Sequence, residues 1–161
     1  MKGNTDSLKL KSSSSELNKV EKLVEALADK YYLNDSYFAN IMVALTEAFN
    51  NALIHGNHND PDKQIRIGFS LTDKEMIFEV CDEGNGFDHV LFLNSRHSEN
   101  QRGIELIQSV SDKVEFSDKG RCISIHFNVA SVNQSISQNR MSAFGQSNDV
   151  RINQEDESKR N

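Results

Sequence analysis

Three polar side chains set the question. In the run A-L-T-E-A-F-N-N-A-L-I-H-G (Ala44–Gly56), Glu47, Asn51 and His55 recur at a spacing of four. On a helix that spacing stacks them along one stripe. A carboxylate there can accept a proton from an incoming hydroxyl or water. A carboxamide oxygen can ligate Mg²⁺, which keeps several waters and takes its remaining ligands from phosphates. From Ser36 to His55 there is no Lys or Arg, and Glu47 is the only acid. A solvated helix face ordinarily carries both signs of charge, so this stripe reads as the lining of a pocket. The plainer alternative is a satisfied polar stripe in a helix packed on both sides.

Two glycine segments extend the set. Asp82-Glu83-Gly84-Asn85-Gly86 follows a strand-like run. The Asp82 carboxylate can accept a hydrogen bond from a ligand amine, and Gly84 and Gly86 let backbone approach a flat ring. The same five residues also make a good surface turn. Arg102-Gly103-Ile104-Glu105-Leu106-Ile107 opens an apolar helical period. A glycine at a helix start leaves backbone N–H groups and the positive dipole end free for phosphate, or it merely starts the helix.

The elements that must position these residues follow from periodicity. Ser7 to Lys11 alternates around Leu8 and Leu10, as a short strand does. Leu17, Val20, Val24, Leu27 and Tyr31 give a first helix, Glu16 to Tyr32, capped by Ser14 or Ser15. Asn34-Asp35-Ser36 opens the second helix, which turns Phe38, Leu45, Phe49 and Ala52, with Ile41, Met42 and Leu53 beside them, to the core and ends at Gly56 as its C′ residue. Gln64–Ser70 and Glu75–Cys81 alternate as a hairpin. Asp88–Gln101 reads as a loop or partial lid, Gly103–Val110 as a third helix, and Lys113–Phe116 with Arg121–Val129 as a second hairpin. The predicted fold is α/β (α+β): a two-layer sandwich with a mixed, mainly antiparallel sheet and helices on one face. Residues 1–130 form the domain, and 131–161, rich in Ser, Asn and Gln without a sustained period, form a disordered polar tail.

Composition narrows the partners. A net charge of -6 over 161 residues disfavours nucleic acid and anionic membrane. There is no apolar run of spanning length and no signal-like apolar block at the N-terminus, so a cytoplasmic location is expected. Cys81 and Cys122 lack metal-ligand spacing and lie in strand-like runs, so they read as reduced, packed thiols.

Taken together and in this order, the three segments resemble the Bergerat (GHKL) ATP-binding fold. Within it the chain is similar to the anti-sigma-factor serine/threonine kinases of bacteria. E-A-x-N-N-A-x-I-H-G matches the N box of that family, D-E-G-N-G-F its first glycine box and R-G-I-x-L-I its second, across about residues 7–129. The resemblance implies roles for individual positions. Glu47 stands at the catalytic base and Asn51 at the Mg²⁺ ligand. Asp82 stands at the acceptor of the adenine amino group, with Gly84 and Gly86 beside the base. Arg102, Gly103 and Ile104 stand at the phosphate-binding helix start. It implies ATP and Mg²⁺ as cofactors, a sigma factor and an STAS-type antagonist as protein partners, and a homodimer. His55 and Asn50 fall inside the motif without an assigned role.

The chain departs from the family at Gln101, where a further glycine is usual, and at Arg121 and Cys122, where many relatives carry threonine. A non-catalytic, ATP-gated partner-switching module, or pseudokinase, is therefore the alternative to the kinase. A histidine-kinase catalytic domain is a third reading. It calls for a phosphoacceptor histidine on a helical dimerisation segment, which none of the five histidines supplies.

Overall fold

The structure is a computed structural model that describes residues 6–86 and 99–128. The predicted tail and most of the predicted lid loop lie outside these residues. Strand β1 (Asp6–Lys11) leads into helices α1 (Leu17–Tyr31) and α2 (Asp35–Asn51). The hairpin β2 (Gln64–Leu71) and β3 (Glu75–Cys81) comes next, then helix α3 (Glu99–Val110) and the hairpin β4 (Lys113–Ser117) and β5 (Cys122–Asn128).

The five strands lie in the order β1-β2-β3-β5-β4, and every neighbouring pair is antiparallel. The expected mixed sheet is thus corrected to an antiparallel one. After β3 the chain crosses through α3 to the far edge as β4, and β5 returns between the two. β3 and β4 point the same way but never pair, because β5 separates them. This is the split β-α-β arrangement.

Alternation sets what each face holds. Ile65, Ile67 and Phe69 of β2, Met76, Phe78 and Val80 of β3, and Ile123, Ile125 and Phe127 of β5 are buried. They meet Val20, Val24 and Leu27 of α1, Ile41, Leu45 and Phe49 of α2, and Ile107 of α3 in one core. Tyr31, Phe69, Phe78 and Phe127 form a chain of rings with centroids 6.0, 5.2 and 6.1 Å apart. Each fully buried phenylalanine contributes roughly 2–3 kcal/mol of apolar transfer free energy, so this chain anchors the helices to the centre of the sheet.

The helix ends are less simple than the period implies. Ser13, rather than Ser14 or Ser15, caps the short 3₁₀ turn Ser14–Glu16 that precedes α1. Asn34 caps α2, its Oδ1 accepting from the Tyr37 amide at 2.9 Å. At its other end α2 does not stop at a left-handed glycine. It widens into a π-helical turn, Ala52–Gly56, closed by the Asn57 amide donating to the Ala52 carbonyl at 2.8 Å. A π turn inside a helix often marks a functional site. Here it breaks the four-residue stacking that would set His55 over Asn51.

The sheet's other face is polar. Arg66 pairs with Glu79 at 2.9 Å, and His126 lies between the Glu75 and Glu115 carboxylates at 3.2 and 3.1 Å. Cys81 and Cys122 also lie here, directly opposite one another in the β3–β5 register, and are joined in a disulfide. The reading of separate reduced thiols is therefore corrected. Strand pairing brings together two residues that are 41 positions apart.

Candidate functional site

The end of α2, its π turn, and the adjoining ends of β3 and β5 enclose a cavity. Its walls are apolar on several sides: Ala48 and Ala52 from α2 and the π turn, Val80 and Ile123 from the sheet, Ile104 from α3 and Phe116 from β4. Polar groups enter at a few points, namely Asn51, His55, Asp82 and Arg121. A mostly apolar slot with a few convergent polar groups suits a flat, partly polar ligand. The space left between these walls is small, about 40 Å³.

Asp82 is the best-defined member. It follows directly on β3, and its amide donates to the Arg121 carbonyl at 3.0 Å, one rung beyond the β3–β5 ladder. Its Oδ1 accepts from the Gly84 amide at 2.8 Å. Burial pushes its carboxyl above the ordinary aspartate value, opposed by the Gly84 hydrogen bond and by the charges of Arg121, Lys63 and His58. An acid that is partly desolvated and still has an acceptor oxygen turned to the cavity can receive an amine.

The backbone around Asp82 is crowded in a way that explains two glycines. A Cβ on Gly56 would overlap the Asp82 carboxyl, and a Cβ on Gly84 would overlap the Gly56 carbonyl. Gly56 was expected to serve as a left-handed helix cap. Instead its missing side chain lets the π turn lie against the acid. Gly86 has φ of +76° and presses on the Lys119 carbonyl, so the turn after β3 touches the turn before β5.

Asn57 holds these pieces in register and carried no periodic signal in the sequence. It is fully buried. Its Nδ2 donates to the Gln64 carbonyl at 3.0 Å, and its Oδ1 accepts from the Glu83 amide at 2.8 Å. Glu83 answers by accepting from the Gln64 amide at 2.6 Å. On the opposite turn Arg121 is clamped to Asp118 at 2.6 Å, which holds its guanidinium well inside the charged range.

The remaining expected residues divide. Asn51, Asp82, Gly86 and Ile104 line the cavity. Asn51 is half-buried, and its Nδ2 is buried without a hydrogen-bond partner among the described residues. An orphaned amide costs about 1–3 kcal/mol, so this side chain is poised for a ligand rather than for the fold. Its one amide oxygen fits a cation that draws most of its shell from water and phosphate. Glu47 is half-buried beside the cavity rather than in its wall; its Oε2 lies 3.1 Å from where a Cβ on Gly103 would stand, and Asn51 Oδ1 lies 3.2 Å from it. Gly103 thus lets α3 lie against the polar stripe of α2.

The helix start is a correction. α3 begins at Glu99, not Gly103, so the amide of Gly103 falls beyond the first turn, and the last part of the predicted loop is helical. Glu99-Asn100-Gln101-Arg102 contains no glycine or proline to break a helix. Arg102 is exposed. Gly120, Phe116, Val80 and Ile123 were not anticipated as lining. The strand residues among them carry an ordinary core signal, and only the topology says which end of the strand meets the helix.

The histidine kinase-like ATPase domain family matches residues 10–127. An anti-sigma F factor of Shouchella clausii is 44% identical over 46 residues, 29% of this chain and 32% of the relative. That of Oceanobacillus iheyensis is 30% identical over 82 residues, 47% of this chain and 56% of the relative. The chain therefore spans from about a third to just over half the length of these curated relatives. A crystal structure of the RsbU and RsbW domains of a Mycobacterium tuberculosis protein superposes with a TM-score of 0.56 at 16% identity, covering 77% of this chain and 31% of that one. At that identity the likeness is one of fold.

Proposed function

We propose, from the premise that this chain belongs to the histidine kinase-like ATPase domain family, that it binds Mg-ATP in the cavity between α2 and the sheet. We propose further that it acts as an anti-sigma factor and phosphorylates a serine or threonine of an STAS-type antagonist. One observation carries the nucleotide reading. A buried amide without a partner, on Asn51, and a partly desolvated carboxylate, on Asp82, reach one apolar slot from opposite sides.

Asp82 would accept the adenine amino group, with Gly84 and Gly86 giving the ring room. Val80, Ile104 and Ile123 would cover its faces and exclude water. Asn51 would hold Mg²⁺, which when bound neutralises charge on the phosphates. Glu47, on the same stripe, would orient the acceptor hydroxyl and take its proton. Positioning and electrostatics supply most of the catalysis in such transfers. The anti-sigma role is supported by the name that the curated relatives carry, and the antagonist by the resemblance of the three boxes to the anti-sigma-factor kinases.

The first test is ATP binding by calorimetry with and without Mg²⁺. Wild type should show Mg-dependent binding. Asn51→Ala should lose that dependence while keeping its folded stability, since its amide nitrogen has no hydrogen-bond partner among the described residues. Mg-independent binding in wild type would sink the metal assignment. For transfer, labelled ATP is offered together with candidate antagonist domains. Glu47→Gln should lower transfer at least 100-fold, whereas undiminished transfer removes Glu47 as the base.

A second reading has its own support. Glu47 packs against Gly103 rather than in the cavity wall, and α3 starts a full turn before the glycine. Both fit a non-catalytic, ATP-gated partner switch. Nucleotide binding without transfer to any antagonist would favour it.

A further inference from the structure

The polar face of the sheet carries a second cavity, of about 270 Å³, behind the nucleotide slot. Lys9, Arg66, Glu83 and Asp118 surround it, and both Cys81 and Cys122 line it. The two sulfur-bearing residues are largely buried, at 8% and 7% exposure, yet this cavity leads to them. Arg66 Nη2 donates to Cys81 Sγ at 3.2 Å while also holding the Glu79 carboxylate. A guanidinium hydrogen-bonded to a sulfur favours its thiolate, the form that leaves and attacks in disulfide exchange, and here it also offsets the Glu79 carboxylate, which lies within 4.8 Å of both sulfurs.

The disulfide also closes the last rung of the β3–β5 ladder. The next residue of one strand is Asp82, and the preceding residue of the other is Arg121. From there the chain enters the two turns that touch at Gly86 and Lys119 and floor the nucleotide slot. Asp82 lines both cavities. A covalent tie at the root of these turns limits how far they can shift around a ligand.

We infer that Cys81–Cys122 is a thiol–disulfide exchange site, reduced by a dithiol through the back cavity, and that its oxidised state restrains the nucleotide slot. The chemistry balances. A thiolate of the dithiol attacks one sulfur, the Cys81–Cys122 bond breaks, and a mixed disulfide forms as the other cysteine leaves as thiolate and takes a proton. The second thiol of the reductant, deprotonated, then attacks the mixed disulfide. It closes the reductant's own disulfide and frees the remaining cysteine. Two electrons and two protons pass from the dithiol to the pair. Arg66 stabilises Cys81 as the thiolate formed on cleavage.

The coupling rests on the nucleotide reading, but the exchange does not, and the measurements separate them. The chain has only two cysteines, so maleimide labelling counts both thiols without ambiguity. Full-length oxidised protein should be unlabelled under native conditions and should gain two labels after dithiothreitol treatment. A pair that stays unlabelled until the protein is unfolded overturns the exchange site. Arg66→Gln should slow native reduction several-fold, and an unchanged rate removes Arg66 from the step. Mg-ATP should bind several-fold more tightly to the reduced than to the oxidised wild type. The Cys81→Ser, Cys122→Ser double variant should bind like the reduced form under both conditions, with the double alanine variant taking its place if the serines unfold it. Equal or tighter binding to the oxidised form overturns the coupling. ATP binding to neither state, with normal thiol exchange, overturns the nucleotide reading and the coupling while the exchange site stands.

Discussion

The two glycine segments resemble each other in the sequence and differ in the structure. Around Asp82 the backbone is packed so closely that Gly84 has no room for a methyl group, and Gly86 adds a left-handed φ. A Cβ on Gly103 would stand 3.1 to 3.3 Å from side-chain ends of Glu47 and Asn51, and the helix runs through the glycine without interruption. The first segment is built into the fold by carbonyl contacts and hydrogen bonds. The second lies against a face that can yield. A site can therefore be rigid on the side proposed to take the base and adjustable on the side proposed to meet phosphates.

Substitutions that break this contrast can be ranked. Gly84→Ala carries the largest expected effect. Its Cβ meets a backbone carbonyl that cannot rotate away, so urea unfolding should report a loss of about 2 kcal/mol or more. A loss under about 0.5 kcal/mol would mean the turn is as adjustable as the helix. Next is Asp82→Asn, which separates recognition from stability. Burial raises the Asp82 carboxyl above its ordinary value in the folded chain. The folded state therefore binds this proton more tightly than the unfolded state. The group's stabilising contribution is full below the unfolded value of about 3.9 and is lost as pH rises through the folded value. The asparagine variant should lose adenine-nucleotide binding by at least 10-fold. It should also unfold at a higher urea midpoint relative to wild type at neutral pH than at acid pH, and a gap constant with pH would contradict the burial argument. The smallest effect is expected from Gly103→Ala. Alanine gains up to about 1 kcal/mol of helix propensity, set against the close approach of two flexible side chains. Net stability should stay within about 1 kcal/mol of wild type, and a larger loss would place both glycines in one class.

The contrast also explains what the sequence could tell. β3 was expected at Glu75–Cys81 and lies there, and α1 differs from its expected span by one residue at each end. Both elements have an unbroken apolar period and clear punctuation. Asn51 was picked out because it stood on a helix stripe without Lys or Arg, and Asp82 because a carboxylate closed a strand just before two glycines. The misses are contacts rather than elements. Whether Gly56 caps a helix or makes way for a carboxyl depends on a residue 26 positions later. The disulfide depends on a register that β3 and β5 adopt only within the sheet. The early start of α3 lay in four polar residues with helix propensity but no apolar period, so periodicity passed over them.

Asn57 has a consequence for the order of folding. Its side chain bonds to Gln64 at the start of β2 and to Glu83 past the end of β3, across 26 residues in the latter case. The bond to Glu83 exists only once β3 has paired with β2 and returned its end to the π turn. The amide therefore acts as a late latch. Truncating it should speed unfolding and leave the folding rate nearly unchanged, the kinetic mark of a contact made after the rate-limiting step.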